Sequence, residues 1–452
     1  MSIRGTSRAL SPAERWYWII DQLSTLNVCA RVRVEGAVST DALRGGLRAL
    51  QGRQPLLRLA IATAASGIDP RFVPTSEPIP LREVSVTRLE EERWAQEIDT
   101  HEFVESVDWR TGPLARAVVI RQPDGINDLI LSVPHYISDG TTALALLRQW
   151  VLLAAEPGAA DDAEAANAAE AADASETPIP VPVEDLFPER HRTTAGALPD
   201  REAADPTADE SAEAGRLEPE FFVPFDQRRT RLLHRFLPAD ALADLTAACK
   251  REGVTLHGVL AAALAGAVAR DAEAAPGSHF AVGSPVSFRD ELERPVSEDE
   301  VGCFVSAVHS VVAYQPDDLW SMARFVNRDL TERRERGDQY PVFALLAAQG
   351  PAGIVDSEPL VRYIEEHGSF NFFISNIGRF DFPAEVGDWR LSGAQFVGGI
   401  SVVGYLASSV STSHGQLSWN FTHIADAVSR ERAERIADDS IKTVLTAAVS
   451  GS

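Results

Sequence analysis

The sequence predicts an α+β protein made of two similar halves, residues 1–155 and 220–452, joined by an acidic segment over 156–219. Three observations point that way. Runs of two-residue and of helical apolar periodicity are intermixed on both sides of the segment. The segment holds 17 acidic residues against 4 arginines and so contributes −13 of the net −24. At 452 residues the chain is long enough for two cores of ordinary size.

Ser11-Pro12-Ala13-Glu14 is a helix start, with Ser11 as N-cap, Pro12 at the first helical position and Glu14 completing a capping box. Trp16, Ile19, Ile20 and Leu23 then recur at helical spacing, as a core-facing stripe would. Residues 29–34 read as a strand. Residues 40–51 read as a helix with Ala42, Leu43, Leu47 and Leu50 on one face. A strand over 128–133 and a helix over about 141–155 close the first half. From 156 to 219 aliphatic side chains are scarce and Ala, Glu and Asp dominate. Such a segment buries too little apolar area to offset chain entropy, so a loosely docked linker is expected, with 179–187 lying extended on a surface. Order resumes near Phe221. Residues 231–237 are strand-like, and Pro238 opens a helix to Glu252. Gly253-Val254-Thr255 then turns into an Ala-rich helix over 256–270. Strands are expected over 280–287, 302–314 and 370–376. Leu417, Trp419 and Phe421 alternate with polar neighbours, as in a half-buried strand. An amphipathic helix over about 429–449 ends the chain.

Composition excludes several classes. With 45% hydrophobic and 24% charged residues the chain reads as soluble and globular. The net charge and the lack of any basic run argue against nucleic acid. Cys29, Cys249 and Cys303 are an odd, widely spaced set, a poor disulfide framework that fits a reducing cytoplasm. The first ten residues lack a signal core, and the 256–269 run is shorter than a membrane span, so a buried core helix and a cytoplasmic protein are expected. No histidine pair has metal-ligand spacing, and no GxGxxG, Walker or Gly-x-Ser-x-Gly sequence is present. His257, His309, His414 and His423 read as structural or surface residues.

The chemistry-bearing motif is Pro134-His135-Tyr136-Ile137-Ser138-Asp139-Gly140, where the 128–133 strand passes into the following helix. A histidine on such a turn projects its imidazole into a cleft and exchanges a proton near neutral pH. The bland reading is a satisfied His135, an N-capping Asp139 and a Gly140 kept for backbone geometry.

His-x-x-x-Asp-Gly is the signature of the condensation-domain superfamily, which includes chloramphenicol acetyltransferase and the polyketide-associated acyltransferases. Further segments resemble that family in the right order. They are the opening Leu10–Arg15 helix start, Gly253-Val254-Thr255-Leu256 before an Ala-rich helix, Ser284-Pro285-Val286-Ser287-Phe288-Arg289, Val301-Gly302-Cys303-Phe304-Val305 and Ile374-Ser375-Asn376-Ile377-Gly378. The last is similar to the polyketide-associated, phthiocerol dimycocerosyl transferase-like branch. The family pattern carries two adjacent histidines; here Pro134 replaces the first, and His135 matches the second, the working one.

The resemblance implies two chloramphenicol-acetyltransferase-like subdomains in a V, with an active-site tunnel at their interface. It also implies transfer of an acyl group to an alcohol or amine, with His135 as general base. The donor would be acyl-CoA or an acyl-phosphopantetheine thioester on a carrier protein, with no permanently bound cofactor and no metal. The acceptor would be a small lipid or specialised metabolite, and one chain would build the whole site, so a monomer is expected. Asp139 would pair with Arg289 to hold the loop, against the bland reading of Arg289 as an exposed strand-end charge. Ser375, Asn376 or a main-chain N–H near Gly140 is the candidate oxyanion donor. A reading from another class is a catalytically degenerate module that binds a carrier or pathway partner, motivated by Pro134. A third is an enzyme that forms peptide bonds between carrier-bound substrates.

Overall fold

The computed structural model describes residues 2–3, 7–64, 67–155, 179–192 and 214–449. Its first large sheet runs Glu385–Val386, Trp389–Gly398, Asn27–Glu35, Ile126–Pro134, Arg116–Arg121 and Leu81–Ser85 in spatial order. Both faces of this sheet are covered. Leu129, Leu131 and Val133 face the helices Thr40–Arg53 and Gly140–Ala155, while Ile130, Val118 and Ile120 face Trp94, Ile98 and Phe103. Asp128 and Ser132 share that second face; both are buried and satisfied, Asp128 by Arg31 Nε (3.0 Å) and Ser132 by Glu102.

The second sheet runs Thr230–Leu233, Gln416–Ile424, Leu406–Ser413, Phe372–Arg379, His279–Ser287 and Val305–Ala313. The helices Ala239–Glu252, Leu256–Asp271 and Arg430–Val449 pack with it around a second core. Small side chains let the 256–271 helix sit wholly inside, with every residue from Gly258 to Ala269 buried. Two subdomains are therefore present, each a sheet with its own core, as the resemblance implied. They exchange structure: the Trp389–Gly398 strand follows the second sheet's Phe372–Arg379 strand in sequence, but pairs antiparallel with Asn27–Glu35 of the first sheet.

That exchange corrects one expectation. The Gln416–Ile424 strand is buried on both faces, with Leu417, Trp419 and Phe421 in the core and Ser418, Asn420 and Thr422 buried as well. Its polar side faces the exchanged strand, where Asn420 Nδ2 donates to Gln395 Oε1 (2.9 Å) and Phe396 O (3.1 Å). Polar alternation here marks a hydrogen-bonded seam between subdomains rather than a solvated face.

A third apolar cluster closes the seam, joining Trp16 and Ile20 to Phe288, Phe304, Tyr340 and Phe343. Phe187 belongs to this cluster and lies edge-on to Phe288, Tyr340 and Phe343. Residues 179–192 are thus anchored between elements instead of lying extended on a surface, and Val183–Leu186 forms a 3-10 turn. The rest of the linker reading, 156–178 and 193–213, lies outside the described residues. Among the described residues no single helix is long and apolar enough to cross a membrane.

Candidate active site

His135 opens a 3-10 turn, His135–Ile137, between the Ile126–Pro134 strand and the Gly140–Ala155 helix. Its main-chain N–H donates to Leu26 O (3.0 Å). The Ser138 hydroxyl donates to Pro134 O (3.0 Å), so the turn closes with proline in the position of the first motif histidine. Tyr17 stacks on the imidazole at 4.7 Å between centroids and 12° between planes. Nδ1 lies 3.6 Å from Cys303 Sγ. Among the described residues Nε2 has no hydrogen-bond partner. Burial pushes the imidazole pKa below its ordinary 6.5, opposed by the main-chain carbonyl of His135, the Asp139 carboxylate and the main chain at Ser138. The ring is therefore neutral at pH 7, the form that can accept a proton.

Asp139 is 2% exposed and fully engaged. Oδ1 accepts the Thr142 N–H at 2.7 Å, an N-cap of the following helix, and Oδ2 accepts the Phe304 N–H at 2.9 Å. Arg289 Nη2 lies 3.3 Å from both oxygens and also donates to Thr142 Oγ1 (2.6 Å). The N-cap and the ion pair thus coexist. Arg289 is 6% exposed and lies on a 3-10 turn, with Nη1 on Ser297 O (2.9 Å) and Glu300 O (3.2 Å). Its guanidinium covers the Phe304 ring at 4.2 Å. These demands explain a shortened strand: Phe304 N–H and Gly302 O, which accepts from Thr142 Oγ1 (2.7 Å), are committed to the motif, so pairing begins only at Val305.

Gly140 is needed for space. A Cβ there would lie 2.5 Å from the Phe396 ring, closer than carbon atoms approach. His135, Asp139, Gly140, Phe396 and Ser375 line a cavity of about 250 Å³ at the seam. Asn376 does not line it; its Oδ1 accepts the Gly378 N–H (2.8 Å) and closes a local turn. A second cavity of about 420 Å³ shares Tyr17 and is bounded by Tyr136, Ile137 and Cys303, with Arg8, Arg53 and Arg294 also on its walls. Burial raises the Cys303 thiol pKa, helped by Asp139, so the sulfur stays protonated. Among the described residues no group of His, Cys, Asp or Glu is placed to hold a metal ion.

The sequence reading missed Tyr17 and Cys303. Tyr17 falls one position off the Trp16–Ile20 core stripe, and a lone cysteine 168 positions from the histidine carries no local signal. The other histidines stand elsewhere. His257 is buried against Ser284 Oγ (3.0 Å), and burial pushes it down to about 4. His423 Nδ1 donates to Val428 O (2.8 Å), in the turn that follows its strand.

Two layered subdomains, here with a buried histidine turn at their seam, also occur together in known proteins that this chain resembles. Residues 229–386 match the family "Phthiocerol/phthiodiolone dimycocerosyl transferase C-terminus". A linear gramicidin synthase from Brevibacillus parabrevis is 33% identical over 150 residues, 31% of this chain and 3% of that one. Phosphinothricin tripeptide synthetase PhsC from Streptomyces viridochromogenes is 31% identical over 159 residues, 33% of this chain and 14% of that one. The chain thus spans only a small part of these curated relatives. Polyketide synthase associated protein 5 from Mycobacterium tuberculosis aligns with TM-score 0.65 and 16% identity over 98% of this chain and 99% of the other. The starter condensation domain of rhizomide synthetase RzmA, solved in complex with C8-CoA, aligns with TM-score 0.62 and 16% identity, covering 98% and 95%. The chain thus shares the fold of these solved structures over nearly its whole length, and within it residues 229–386 match the transferase family.

Proposed function

We propose that the protein transfers an acyl group from a CoA or carrier-protein thioester to a hydroxyl or amine of a lipid or specialised metabolite, with His135 as general base. The observation that carries this is a neutral imidazole whose Nε2 is free of partners among the described residues, at the wall of a cavity between the subdomains. Nε2 takes the acceptor's proton as its oxygen or nitrogen attacks the thioester carbon. The new acyl bond forms, the C–S bond breaks, and the proton passes to the leaving thiolate. Ser375, on the cavity wall, is the side chain available to the developing oxyanion, since Asn376 is committed to its own turn. Asp139 acts as a positioning residue, because its oxygens are taken by Thr142, Phe304 and Arg289. An acyl-CoA donor is supported by the similar fold solved with C8-CoA. On this reading the two cavities that share Tyr17 serve as the two arms of the tunnel.

The test is thiol release from a panel of acyl-CoAs with mixed alcohol and amine acceptors, wild type beside His135→Ala. Wild-type release and a loss of about a hundredfold or more in the variant are expected. Across pH, the acid limb of kcat/KM should fall below 6.5, in the direction burial moves the imidazole. Equal release by both proteins would overturn the mechanism.

A further inference from the structure

The two cavities that share Tyr17 differ in chemistry. The larger has Arg8, Arg53, Arg294, Glu14, Asp299 and Glu300 on its walls. Among the described residues that line the smaller, Asp139 is the sole carboxylate, and Arg289 and two main-chain donors neutralise it. The remaining wall is mostly apolar, with Leu26, Val28, Val305, Phe370, Phe373 and Phe396 prominent. A charged group gains nothing there, whereas a hydrocarbon chain is stabilised by leaving water.

Resting on the acyl-transfer reading, we infer that this smaller cavity takes the acyl chain of the donor, a saturated chain of about six to eight carbons, with Phe370 setting the length. The size follows from volume. The cavity holds about 250 Å³. A liquid water occupies about 30 Å³, and a methylene takes a similar space, which gives roughly eight carbons when full.

Phe370 is suited to set the limit because it is held in place. Its ring is seated on the main chain of Gly283, where an added Cβ would collide with it. It lies 6.4 Å from the Phe373 ring and 6.1 Å from the His309 ring. It also packs against Ala214, Ala281 and Val311, which do not line the cavity. His135 enters from the N-terminal subdomain and Phe370 from the C-terminal one, so the chain would cross the seam from the reacting carbon towards a fixed ring.

The experiment is a series of saturated acyl-CoAs, acetyl to palmitoyl, with the full chain and one fixed set of acceptors. Wild-type kcat/KM should peak at hexanoyl to octanoyl and fall at least tenfold by palmitoyl. Phe370→Ala removes a ring of about 100 Å³, so its optimum should move about three carbons longer. Phe370→Leu, a milder change should the alanine variant fold less well, should move it in the same direction by less. A wild type that uses palmitoyl-CoA as well as octanoyl-CoA overturns the inference and leaves acyl transfer standing. So does a Phe370→Ala protein that keeps the length profile while changing its preference among acceptors, which would put the acceptor in this cavity. No turnover of any acyl thioester removes both readings.

Discussion

Arg289→Ala tests whether the motif is held from the opposite subdomain. The side chain joins the Asp139 carboxylate, Thr142 Oγ1 and two main-chain carbonyls, at 3.3, 2.6, 2.9 and 3.2 Å. Removing one partner of a buried pair costs about 3–5 kcal/mol, because the other charge stays behind uncompensated. Asp139 would keep the Thr142 and Phe304 N–H donors, which places the expectation near the lower end, about 3 kcal/mol. Arg289→Lys retains the charge but loses the planar fork that reaches several acceptors at once, so about 1–2 kcal/mol is expected. The assay is urea unfolding at pH 7 of wild type, Arg289→Ala, Asp139→Asn and the double variant. The two single changes should be non-additive, with the double variant less destabilised than their sum. The same proteins should lose kcat more than KM, because the helix that follows His135 begins at this pair. An Arg289→Ala protein within about 0.5 kcal/mol of wild type, or a strictly additive cycle, would refute the reasoning.

Gly140→Ala would normally help a helix by up to about 1 kcal/mol, but the Cβ would meet the Phe396 ring at 2.5 Å. Overpacking of this kind costs about 1–3 kcal/mol, so a net loss of thermal stability is expected, partly restored by adding Phe396→Leu. Burial, reinforced by Glu14, raises Glu184 from its ordinary 4.5 to about 7. The folded state then keeps a proton that the unfolded chain releases between those values. Stability from this group is full below 4.5 and is lost as pH rises through about 7. Glu184→Gln should therefore flatten the fall in urea midpoint between pH 5 and pH 8. It should not abolish the fall, because Asp21, also raised to about 7 by burial, acts with the same sign. An unchanged slope in Glu184→Gln would show that the carboxylate ionises freely in the folded protein.

What could be read in the sequence was local. The helix start at Ser11 is visible because its chemistry fits in four residues, and both capping-box bonds form: Glu14 N–H to Ser11 Oγ at 3.2 Å and Ser11 N–H to Glu14 Oε2 at 2.7 Å. The Ala-rich 256–271 helix was legible as buried for the same reason, since its composition leaves no polar face. The surroundings of His135 are of another kind. Tyr17, Cys303 and Phe396 arrive from three separate elements and no periodicity relates them, while Arg289, 150 positions from Asp139, was reached only through the family resemblance. The exchanged strand illustrates this best. Residues 389–398 have ordinary strand character, but their partner is the strand Asn27–Glu35 of the other subdomain. This pairing carries Phe396 to Gly140 and commits Asn420 to the seam. It makes the two halves one structural unit at the place where the histidine stands. A substitution on the exchanged strand, far from the motif in sequence, should therefore disturb the motif more than an equally buried substitution in the 256–271 helix, which belongs wholly to its own core.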